Sequence, residues 1–519
     1  MFLILLILVL LLIYFYVTRN HDYWEKRNVT HERPVPIFGS LYPNISGKKS
    51  TIELATDLYR KYPNEKVVGM YHGTVPELII RDLELARKIL NVDFAYFYPR
   101  GLGRGTKKEP LFLNLFHAEG DSWKLLRQRL TPAFTTAKLK RMFPLIVECA
   151  EKLHGVGENI VNNGGECDVR ELMARFTTEF IGACGFGLQF DSISNENSVF
   201  RNFGKIIFNR NRSWSNIALV VLYELFPDFG ELLQSTLSET SLLDTTTELL
   251  ETVRSQRNYK PSGRHDFIDL LMELAEKGKI TGESIEKRGA DGSPVQVEME
   301  MDRVCMAAQV FIFFAAGFET SSSATSYLLH ELAFHPEEQK KVQENIDQVL
   351  AKYDNKLCFD SVAEMTYLSM AFKEAMRKFP SLGTLHRICS KRYTIPELGI
   401  TLDPGVRIII PIQGIQTDEQ YFENPSEFKP ERFADTEERN KYTYLPFGEG
   451  PRMCVGARLG EMQSLAGVAA LLNKFSVEPA PTTIRQPKIN PYSNVVQSIK
   501  GGLPLKLKLR NKDTGVVST

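Results

Sequence analysis

A cysteine set between glycines near the end of the chain constrains the fold more than any other feature. Residues 447–456 read Phe-Gly-Glu-Gly-Pro-Arg-Met-Cys-Val-Gly, and a helical run follows them. Glycine on both sides of Cys454 lets the backbone approach a flat ligand closely, and the following helix points amide donors toward the sulfur. Such donors stabilise a thiolate, and a thiolate ligand pushes electron density onto a haem iron. The loop therefore predicts that Cys454 is the axial ligand of a haem iron.

Other metal-binding and disulfide patterns are absent from the sequence. The seven cysteines are scattered and form no C-x-x-C pair, which argues against a disulfide framework or zinc cluster and for a reducing compartment. The nine histidines form no H-x-x-x-H or H-E-x-x-H pattern, so a non-haem metal site is not expected. Lys plus Arg equals Asp plus Glu at 63 each, so nothing global points to nucleic acid.

The rest of the sequence predicts a mainly α fold with a smaller β region. Apolar residues recur at helical spacing in windows 137–154, 240–258, 302–334 and 361–379. Strand patterns flank a turn at 72–74, and a hairpin fits residues 393–412 with its turn at 403–405. The stretch 281–294 is rich in Gly, Ser and charge, which predicts an exposed loop before the long helix.

The N-terminus predicts a membrane anchor. From Met1 to Val17 every residue is apolar or aromatic, and as a helix this run spans roughly 25 Å, at the short end of a membrane-crossing segment. A cleaved signal peptide is the alternative, but no basic stretch precedes the run and no small-x-small site follows it. Positive residues after the segment place the body of the chain in the cytosol. We therefore expect a transmembrane anchor at 1–18 and a linker at 19–39, which ends in a stiff elbow containing Pro34 and Pro36.

The pattern F-x-x-G-x-R-x-C-x-G resembles the haem-binding loop of the cytochrome P-450 family. The resemblance covers nearly the full chain, and the segments Tyr-Trp-Glu-Lys-Arg at 23–27, Pro-Val-Pro-Ile-Phe-Gly at 34–39 and Ala-Gly-Phe-Glu-Thr-Ser-Ser at 316–322 are most similar to insect detoxification enzymes related to the vertebrate drug-metabolising ones. It implies one mainly helical domain over 40–519 with haem b, iron protoporphyrin IX, as cofactor. Phe447, Cys454 and Gly456 are then cofactor-binding residues of the loop.

A second motif, Ala316-Gly317-Phe318-Glu319-Thr320, lies inside the predicted long helix. By default such a threonine is bonded back to a helix carbonyl or exposed, and the glycine is a local weakness. The motif resembles the family's A-G-x-[DE]-T segment, where the helix opens locally and an acid and an alcohol relay protons to the oxygen-binding face. The resemblance thus implies that Thr320 and Glu319 are catalytic, with Glu319 connecting the site to solvent.

A third motif pairs Glu374 with Arg377, three residues apart on one helix face. Alone, such a pair is more often a solvated salt bridge of little energetic value. It precedes Pro430-Glu431-Arg432-Phe433, and the resemblance implies a buried structural network of Glu374, Arg377 and Arg432 beneath the haem loop. Buried charges of this kind must be mutually paired.

Trp123 and Arg127 are four residues apart and share one face of another helix, as they would on an exposed amphipathic helix. Haem carries two propionates, and arginine suits carboxylate geometry. The resemblance implies that the propionate partners are Trp123, Arg127, Arg387 and Arg452. Upstream of Arg387, the doubled proline common in the family is only Pro380-Ser381 here.

The implied activity is that of a monooxygenase, which inserts one oxygen atom from O2 into a lipophilic small molecule. Candidate substrates are xenobiotics such as plant toxins or insecticides, or endogenous hormones. The resemblance implies that electrons come from NADPH through a membrane-bound NADPH-cytochrome reductase, with a cytochrome b-type protein as a further donor. The absence of a dinucleotide or flavin motif is consistent with electrons from a partner. The expected location is the endoplasmic reticulum membrane, with a single-pass anchor and the catalytic domain facing the cytosol.

Two alternatives stay open at this point: an enzyme of the same fold that rearranges peroxides or dehydrates oximes without a reductase, and a non-catalytic haem sensor or carrier. The first would not need the acid and alcohol pair at 319–320. The hypothetical docking surface for an acidic reductase consists of Lys124, Arg129, Lys138, Lys140 and Arg458. Substrate contacts are expected from a largely apolar cavity formed by residues 94–117, 200–222, 311–318, 382–386 and 495–503.

Overall fold

The computed structural model describes residues 2–102, 110–188, 191–196, 198–208, 240–264, 266–434, 440–493 and 495–511. Within these ranges helices predominate, which confirms the prediction of a mainly helical fold with a smaller β region. The helices are α1 (Phe2–Thr18), α2 (Tyr42–Ile45), α3 (Thr51–Lys61), α4 (Leu83–Arg87), α5 (Phe94–Phe97), α6 (Gly120–Leu130), α7 (Thr136–Asn162), α8 (Val169–Ile181), α9 (Val199–Phe208), α10 (Thr240–Gln256), α11 (Phe267–Glu276), α12 (Arg303–Phe334), α13 (Pro336–Lys352), α14 (Phe359–Glu364), α15 (Thr366–Lys378), α16 (Ile412–Gln416) and α17 (Ala457–Lys474).

The strands form small sheets. They are β1 (Val67–His72), β2 (Val75–Ile80), β3 (Glu166–Asp168), β4 (Lys279–Arg288), β5 (Pro294–Glu300), β6 (Leu385–Ile388), β7 (Tyr393–Ile395), β8 (Ile400–Leu402), β9 (Arg407–Ile410), β10 (Phe475–Pro479) and β11 (Pro504–Leu509). One sheet has the order β1-β2-β9-β6, with β2 and β9 parallel and the other pairs antiparallel. A second has the order β10-β11-β3, while β4-β5 and β7-β8 are separate pairs.

Helix α12 is the centre of the helical core. The Asp302 side chain caps its start by accepting a hydrogen bond from the Cys305 N–H at 2.7 Å. The helix packs against α8, α10, α15 and α17. Its length and composition would suffice to cross a membrane, but 67% of its most apolar window is buried inside the protein, as expected for a core helix. The shorter α1 is apolar and almost entirely exposed.

Residues 281–294 form a hairpin with the segment after them, so the prediction of an exposed loop is wrong. Strands β4 and β5 pair antiparallel from Lys279 opposite Glu300 to Arg288 opposite Pro294. The hairpin packs on α6, where the Asp121 carboxylate accepts hydrogen bonds from the Ser284 hydroxyl and the Ile285 N–H. Contacts with a helix far away in the sequence thus override the turn-like local composition.

The hairpin predicted over 393–412 is right only in its first half. Strand β7 pairs with β8 through a turn at residues 396–399, whereas the predicted turn at 403–405 leads from β8 into a different sheet. In that sheet β9 lies between β2 and β6. Its residues Ile408 and Ile410 are completely buried in the apolar core beneath the sheet, which stabilises β9 at this position.

The segment between α1 and α2 lies against the four-stranded sheet. Trp24 is completely buried, and its indole N–H donates to the Met70 carbonyl oxygen at 3.0 Å. The Arg27 guanidinium pairs with Asp403 at 2.5 Å. These contacts tie the residues that follow the apolar helix to the four-stranded sheet and to the connection between β8 and β9.

Candidate active site

The glycine-flanked loop leads directly into α17, and Gly456 is the N-terminal cap residue of that helix. The Cys454 N–H donates to the Phe447 carbonyl oxygen at 2.9 Å, which closes the loop on itself. Gly450 has φ +81°, and a Cβ there would lie 2.1 Å from the Leu90 carbonyl oxygen, so only glycine fits. The loop is therefore held rigidly, with the cysteine at a defined position before the helix.

The Cys454 thiol retains accessible surface although protein surrounds it. Burial raises the pKa of this thiol, while the Gly456 backbone N–H and the positive charges of Arg100 and Arg127 act in the opposite direction. The donors expected from the sequence are present, but desolvation outweighs them. A bound metal cation would stabilise the thiolate form of Cys454 at this position.

Four arginines are gathered around this loop: Arg100, Arg127, Arg387 and Arg452. Burial lowers the pKa of Arg100 to about 10, of Arg387 to about 9 and of Arg452 to about 8, and mutual repulsion among these charges adds to the effect. Burial also lowers the pKa of Arg127. Like charges gathered in a buried place are stable only with an anionic partner.

No carboxylate pairs with these arginines among the described residues; their hydrogen bonds go to backbone carbonyl groups. Arg387 Nε and Arg452 Nη1 are buried and have no partner in the part of the chain that the structure describes. The donor set therefore fits a flat ligand that carries two carboxylates, beside a cysteine that needs a cation. Haem has this chemistry, so the residues present fit it.

Trp123, Arg127 and Arg452, three of the four predicted propionate partners, lie close to one another beside the cysteine loop. The Arg452 guanidinium lies over the Trp123 ring, 4.1 Å from its centroid, and Arg127 donates to the Met453 carbonyl oxygen at 2.8 Å. Arg100 was missed by sequence reasoning because it stands outside every motif. Its only sequence signal is an arginine two residues after the largely aromatic run at 94–98. Arg100 donates to the Arg452 carbonyl oxygen at 2.7 Å.

The segment 316–320 lies in the middle of α12. The Thr320 hydroxyl donates to the Ala316 carbonyl oxygen at 2.7 Å, which is the ordinary back-bonded arrangement. Glu319 is 7% exposed and forms an ion pair with Arg170 of α8. The expected local opening of the helix is not present, because α12 is continuous from Arg303 to Phe334. The carboxylate expected to reach solvent is therefore held inside by an arginine.

Two contacts join α12 to its neighbours, one to the helix that follows Cys454 and one to α8. The Gln463 side chain of α17 donates to the Gly317 carbonyl oxygen at 3.0 Å. A Cβ on Gly317 would lie 2.4 Å from Ile181 Cδ1, so the glycine lets α8 approach α12 closely. The cysteine loop and the acid and alcohol pair thus belong to one packed unit of α8, α12 and α17.

Glu374, Arg377 and Arg432 also come together. Arg377 Nε lies 2.7 Å from Glu374 Oε2, and both residues are completely buried. Arg432 Nε lies 3.3 Å from Glu374 Oε1. Arg377 also donates to the Gln416 and Pro425 carbonyl oxygens, so the network joins α15 to the chain that leads into the cysteine loop.

Most of the basic residues predicted as a docking surface have a partner. The contacts are Lys124 with Glu283 at 3.9 Å, Arg129 with the Thr281 carbonyl oxygen at 2.9 Å, Lys140 with Asp360 at 2.7 Å and Arg458 with the Thr136 hydroxyl at 3.0 Å. Lys138 has no ion pair in the described ranges. The β4-β5 hairpin thus engages part of this surface.

Three of the predicted substrate regions, 94–117, 200–222 and 311–318, contain packed aromatic side chains in their described parts. Phe314 contacts Phe318 and Phe203, with ring centroids 5.1 and 5.4 Å apart. His117 stacks on Phe112 at 4.5 Å, and burial lowers the pKa of its imidazole to about 4, so the ring is neutral at pH 7. Residues 103–109 and 209–222 of the predicted regions lie outside the described residues.

A family model described as Cytochrome P450 matches residues 30–505. Cytochrome P450 6B6 from Helicoverpa armigera is 36% identical over 494 residues, which cover 95% of this chain and 95% of that protein. Cytochrome P450 6a2 from Drosophila melanogaster is 34% identical over 520 residues, which cover 97% of this chain and 98% of that protein. The similarity to insect proteins therefore extends along almost the whole chain.

Proposed function

The chain belongs to the cytochrome P450 family and is a haem-dependent monooxygenase, and we propose that it oxidises lipophilic foreign compounds with electrons from a membrane-bound NADPH reductase. The overall reaction is RH + O2 + NADPH + H⁺ giving ROH + H2O + NADP⁺. The insect relatives support a role in xenobiotic metabolism. Plant toxins and insecticides are the proposed substrates, with endogenous hormones as a second class.

The observation that carries the proposal is the group of buried arginines beside Cys454 that have no carboxylate partner among the residues that the structure describes. When bound, haem b supplies the redox chemistry that activates dioxygen. Cys454 would hold its iron through the thiolate, while Phe447 and Gly456 would lie against the ring. The propionates would be bound by Trp123, Arg127, Arg387 and Arg452, and Arg100 joins this set.

The protein's own part in the reaction is to orient the substrate, exclude water and deliver protons. We assign proton delivery to Thr320 and Glu319. The Thr320 hydroxyl donates to the Ala316 carbonyl oxygen, so its lone pairs remain free to accept a hydrogen bond from water or from an acid. Arg170 holds the Glu319 carboxylate beside it. An acid must leave such a pair at least transiently to transfer a proton, which makes Arg170 part of the proposed relay.

The network of Glu374, Arg377 and Arg432 is assigned a structural role. It touches none of the haem-binding arginines and is completely buried at two of its three members. Its position between α15 and the chain before the cysteine loop supports a bracing function. The loss of one charge would leave the others unpaired and would release the loop.

A lipophilic substrate is supported by the aromatic side chains of the described substrate regions. A neutral His117, which stacks on Phe112, adds one polar group that can orient an oxygen-containing substrate. A cavity of this composition favours apolar molecules with few hydrogen-bonding groups.

Electrons would come from an NADPH-cytochrome reductase, with a cytochrome b-type protein as a further donor. The catalytic domain, 40–519, would lie on the cytosolic face of the endoplasmic reticulum membrane, held by the anchor at 1–18 and the linker at 19–39. The apolar, exposed α1 supports the anchor, and the buried Trp24 supports a close attachment of the linker to the domain.

Purified protein, reconstituted with reductase, lipid and a panel of plant toxins, insecticides and steroids, tests the proposal. We expect NADPH consumption that depends on substrate and yields an oxygenated product. Turnover of a peroxide or an oxime without reductase would favour the rearranging enzymes instead. A stable haem protein that consumes no NADPH with any substrate would favour a carrier or sensor.

A further inference from the structure

Ser381 stands where the sequence departs from the doubled proline of the family, and its hydroxyl reaches the active-site helix. Ser381 Oγ donates to the Thr320 carbonyl oxygen at 3.0 Å. A proline at this position could not make the contact, because its ring carries no donor. The chain segment after α15 is thus tied to α12 at the residue that we assign to proton delivery.

Ser381 is itself held from the other side by Gln497. The Gln497 N–H donates to the Ser381 carbonyl oxygen at 2.8 Å. The Gln497 side chain is completely buried, and its amide donates to the Pro380 carbonyl oxygen at 2.9 Å and to Gln413 Oε1 at 3.0 Å. Two of these hydrogen bonds, from the backbone N–H and from the side-chain amide of Gln497, go to the segment at 380–381 and fix its position.

Gln497 also touches the residues around the acid. Its carbonyl oxygen accepts long hydrogen bonds from Arg170 Nη1 at 3.5 Å and from the hydroxyls of Ser323 and Tyr327 at 3.4 Å each. Arg170 is the ion-pair partner of Glu319. The acid and the alcohol of α12 are therefore linked, through different atoms, to the same short segment of the C-terminal region.

We propose that Ser381 is a positioning residue that holds the α12 turn at Thr320 in place for proton delivery. The proposal rests on the function proposed above for Thr320 and Glu319. The Thr320 carbonyl group is part of the helix backbone, so the Ser381 hydroxyl ties this turn of α12 to the segment at 380–381 and limits displacement of the turn. Small displacements of a reacting group lower catalytic efficiency steeply.

A misplaced proton donor changes the products and not only the rate. In the coupled reaction the second oxygen atom of O2 leaves as water. In the uncoupled reaction NADPH + O2 + H⁺ gives NADP⁺ + H2O2, and the substrate is not oxidised. The ratio of product to NADPH therefore reports the position of the Thr320 turn, whereas the carbon monoxide spectrum of the reduced protein reports only an intact haem site.

The test compares Ser381→Ala with Ser381→Thr in the full-length protein, reconstituted with reductase and lipid. We expect Ser381→Ala to lower product per NADPH by about fivefold, to release hydrogen peroxide and to leave the carbon monoxide spectrum and KM unchanged. Ser381→Thr keeps the hydroxyl and is expected to retain coupling. Ser390→Ala is the matched control, since that hydroxyl donates to the Tyr96 carbonyl oxygen at 2.9 Å, away from α12.

Amide hydrogen exchange provides a readout that does not depend on turnover. Ser381→Ala should speed exchange in the α12 peptide that contains residues 320–324, because a hydrogen bond holding that turn is lost. Unchanged coupling together with unchanged exchange would overturn the proposal, and so would equal uncoupling in the alanine and threonine variants. Failure of the proposed function is seen separately, as wild-type protein that forms no NADPH-dependent product.

Discussion

The guanidinium of Arg452 lies over the indole ring of Trp123, with 4.1 Å between Arg452 Cζ and the ring centroid. Arg452 is 2% exposed and Trp123 is 4% exposed. The guanidinium charge therefore contacts an aromatic ring, whereas the charge of a surface arginine would contact water. The contact joins α6 to the loop that carries Cys454. Because a cation over an aromatic face is held in a defined orientation, the pair presents the guanidinium to an incoming carboxylate.

Trp123→Ala is expected to lower the free energy of unfolding by about 3–5 kcal/mol and to reduce haem content. The substitution removes a large buried side chain and, with it, the ring on which the Arg452 guanidinium packs. Trp123→Phe keeps a ring and should retain most of the haem. The measurements are haem per polypeptide and denaturant unfolding. Full haem occupancy in the alanine variant would contradict the assignment of Trp123 to the propionate site.

Cys454→Ser is expected to abolish the carbon monoxide absorption typical of thiolate ligation, since a serine hydroxyl does not replace the thiolate as an iron ligand. Cys358→Ser is the matched control. Cys358 caps the start of α14, and serine is a preferred residue at such a cap, so this variant should keep its spectrum and stability. A thiolate-type spectrum that persists in Cys454→Ser would show that another residue binds the iron.

Glu374→Gln is expected to cost about 3–5 kcal/mol of unfolding free energy, because it leaves the buried charge of Arg377 unpaired and removes an acceptor from Arg432. Asp57→Asn breaks the exposed pair with Lys49 and should change stability by less than about 1 kcal/mol. Denaturant unfolding of both variants is the measurement. Equal stability losses in the two would mean that the buried network does not brace the fold.

Charge reversal of Lys138 and Arg458 together is expected to raise the KM for the reductase by about tenfold at low salt, and by less at high salt. The control is the double variant Lys391→Glu and Arg392→Glu, on the connection between β6 and β7. It changes the net charge of the protein by the same amount at a different place. Reductase-supported turnover is measured across a series of salt concentrations. Identical salt profiles for the two double variants would place the docking surface elsewhere.

His386 gives the fold a dependence on acid pH. Burial lowers the pKa of its imidazole to about 4 from the ordinary value of 6.5. As the pH falls from 6.5 toward 4, the unfolded chain binds a proton that the folded protein does not, so the unfolding free energy falls by up to about 1.4 kcal/mol per pH unit. Above this window the residue contributes no pH dependence. Denaturant unfolding of His386→Asn should show a shallower decline, and an unchanged slope would contradict this account.

Local patterns predicted the elements that are amphipathic or buried over many residues. The windows 137–154, 240–258 and 302–334 correspond to α7, α10 and α12, since helical periodicity records one buried face. The window 361–379 is interrupted at Met365, between α14 and α15. The hairpin β4-β5 was missed because its composition resembles a loop, and its stability comes from α6, which precedes it by more than a hundred residues.

The candidate site likewise contains some residues that short motifs predict and others that only tertiary contacts bring into the site. Motifs with fixed spacing identified Cys454, Glu319, Thr320 and Glu374, because a short segment of chain records both the residue types and their separation. Arg100 and Ser381 belong to no such pattern. The role of Arg100 follows only from its contact with Arg452, and the role of Ser381 only from its contact with Thr320. In both cases the two residues are distant in the chain.

The sequence by itself determined the fold family, and it predicted the haem-thiolate chemistry and the residues proposed to carry it, because these depend on side-chain types at short separations. Tertiary structure decided that Glu319 is paired with Arg170, that α12 is continuous, that a hairpin covers part of α6 and that Ser381 reaches Thr320. The reason is physical: hydrogen bonds and ion pairs between distant segments form only when packing brings those segments together, and local propensity does not encode that packing.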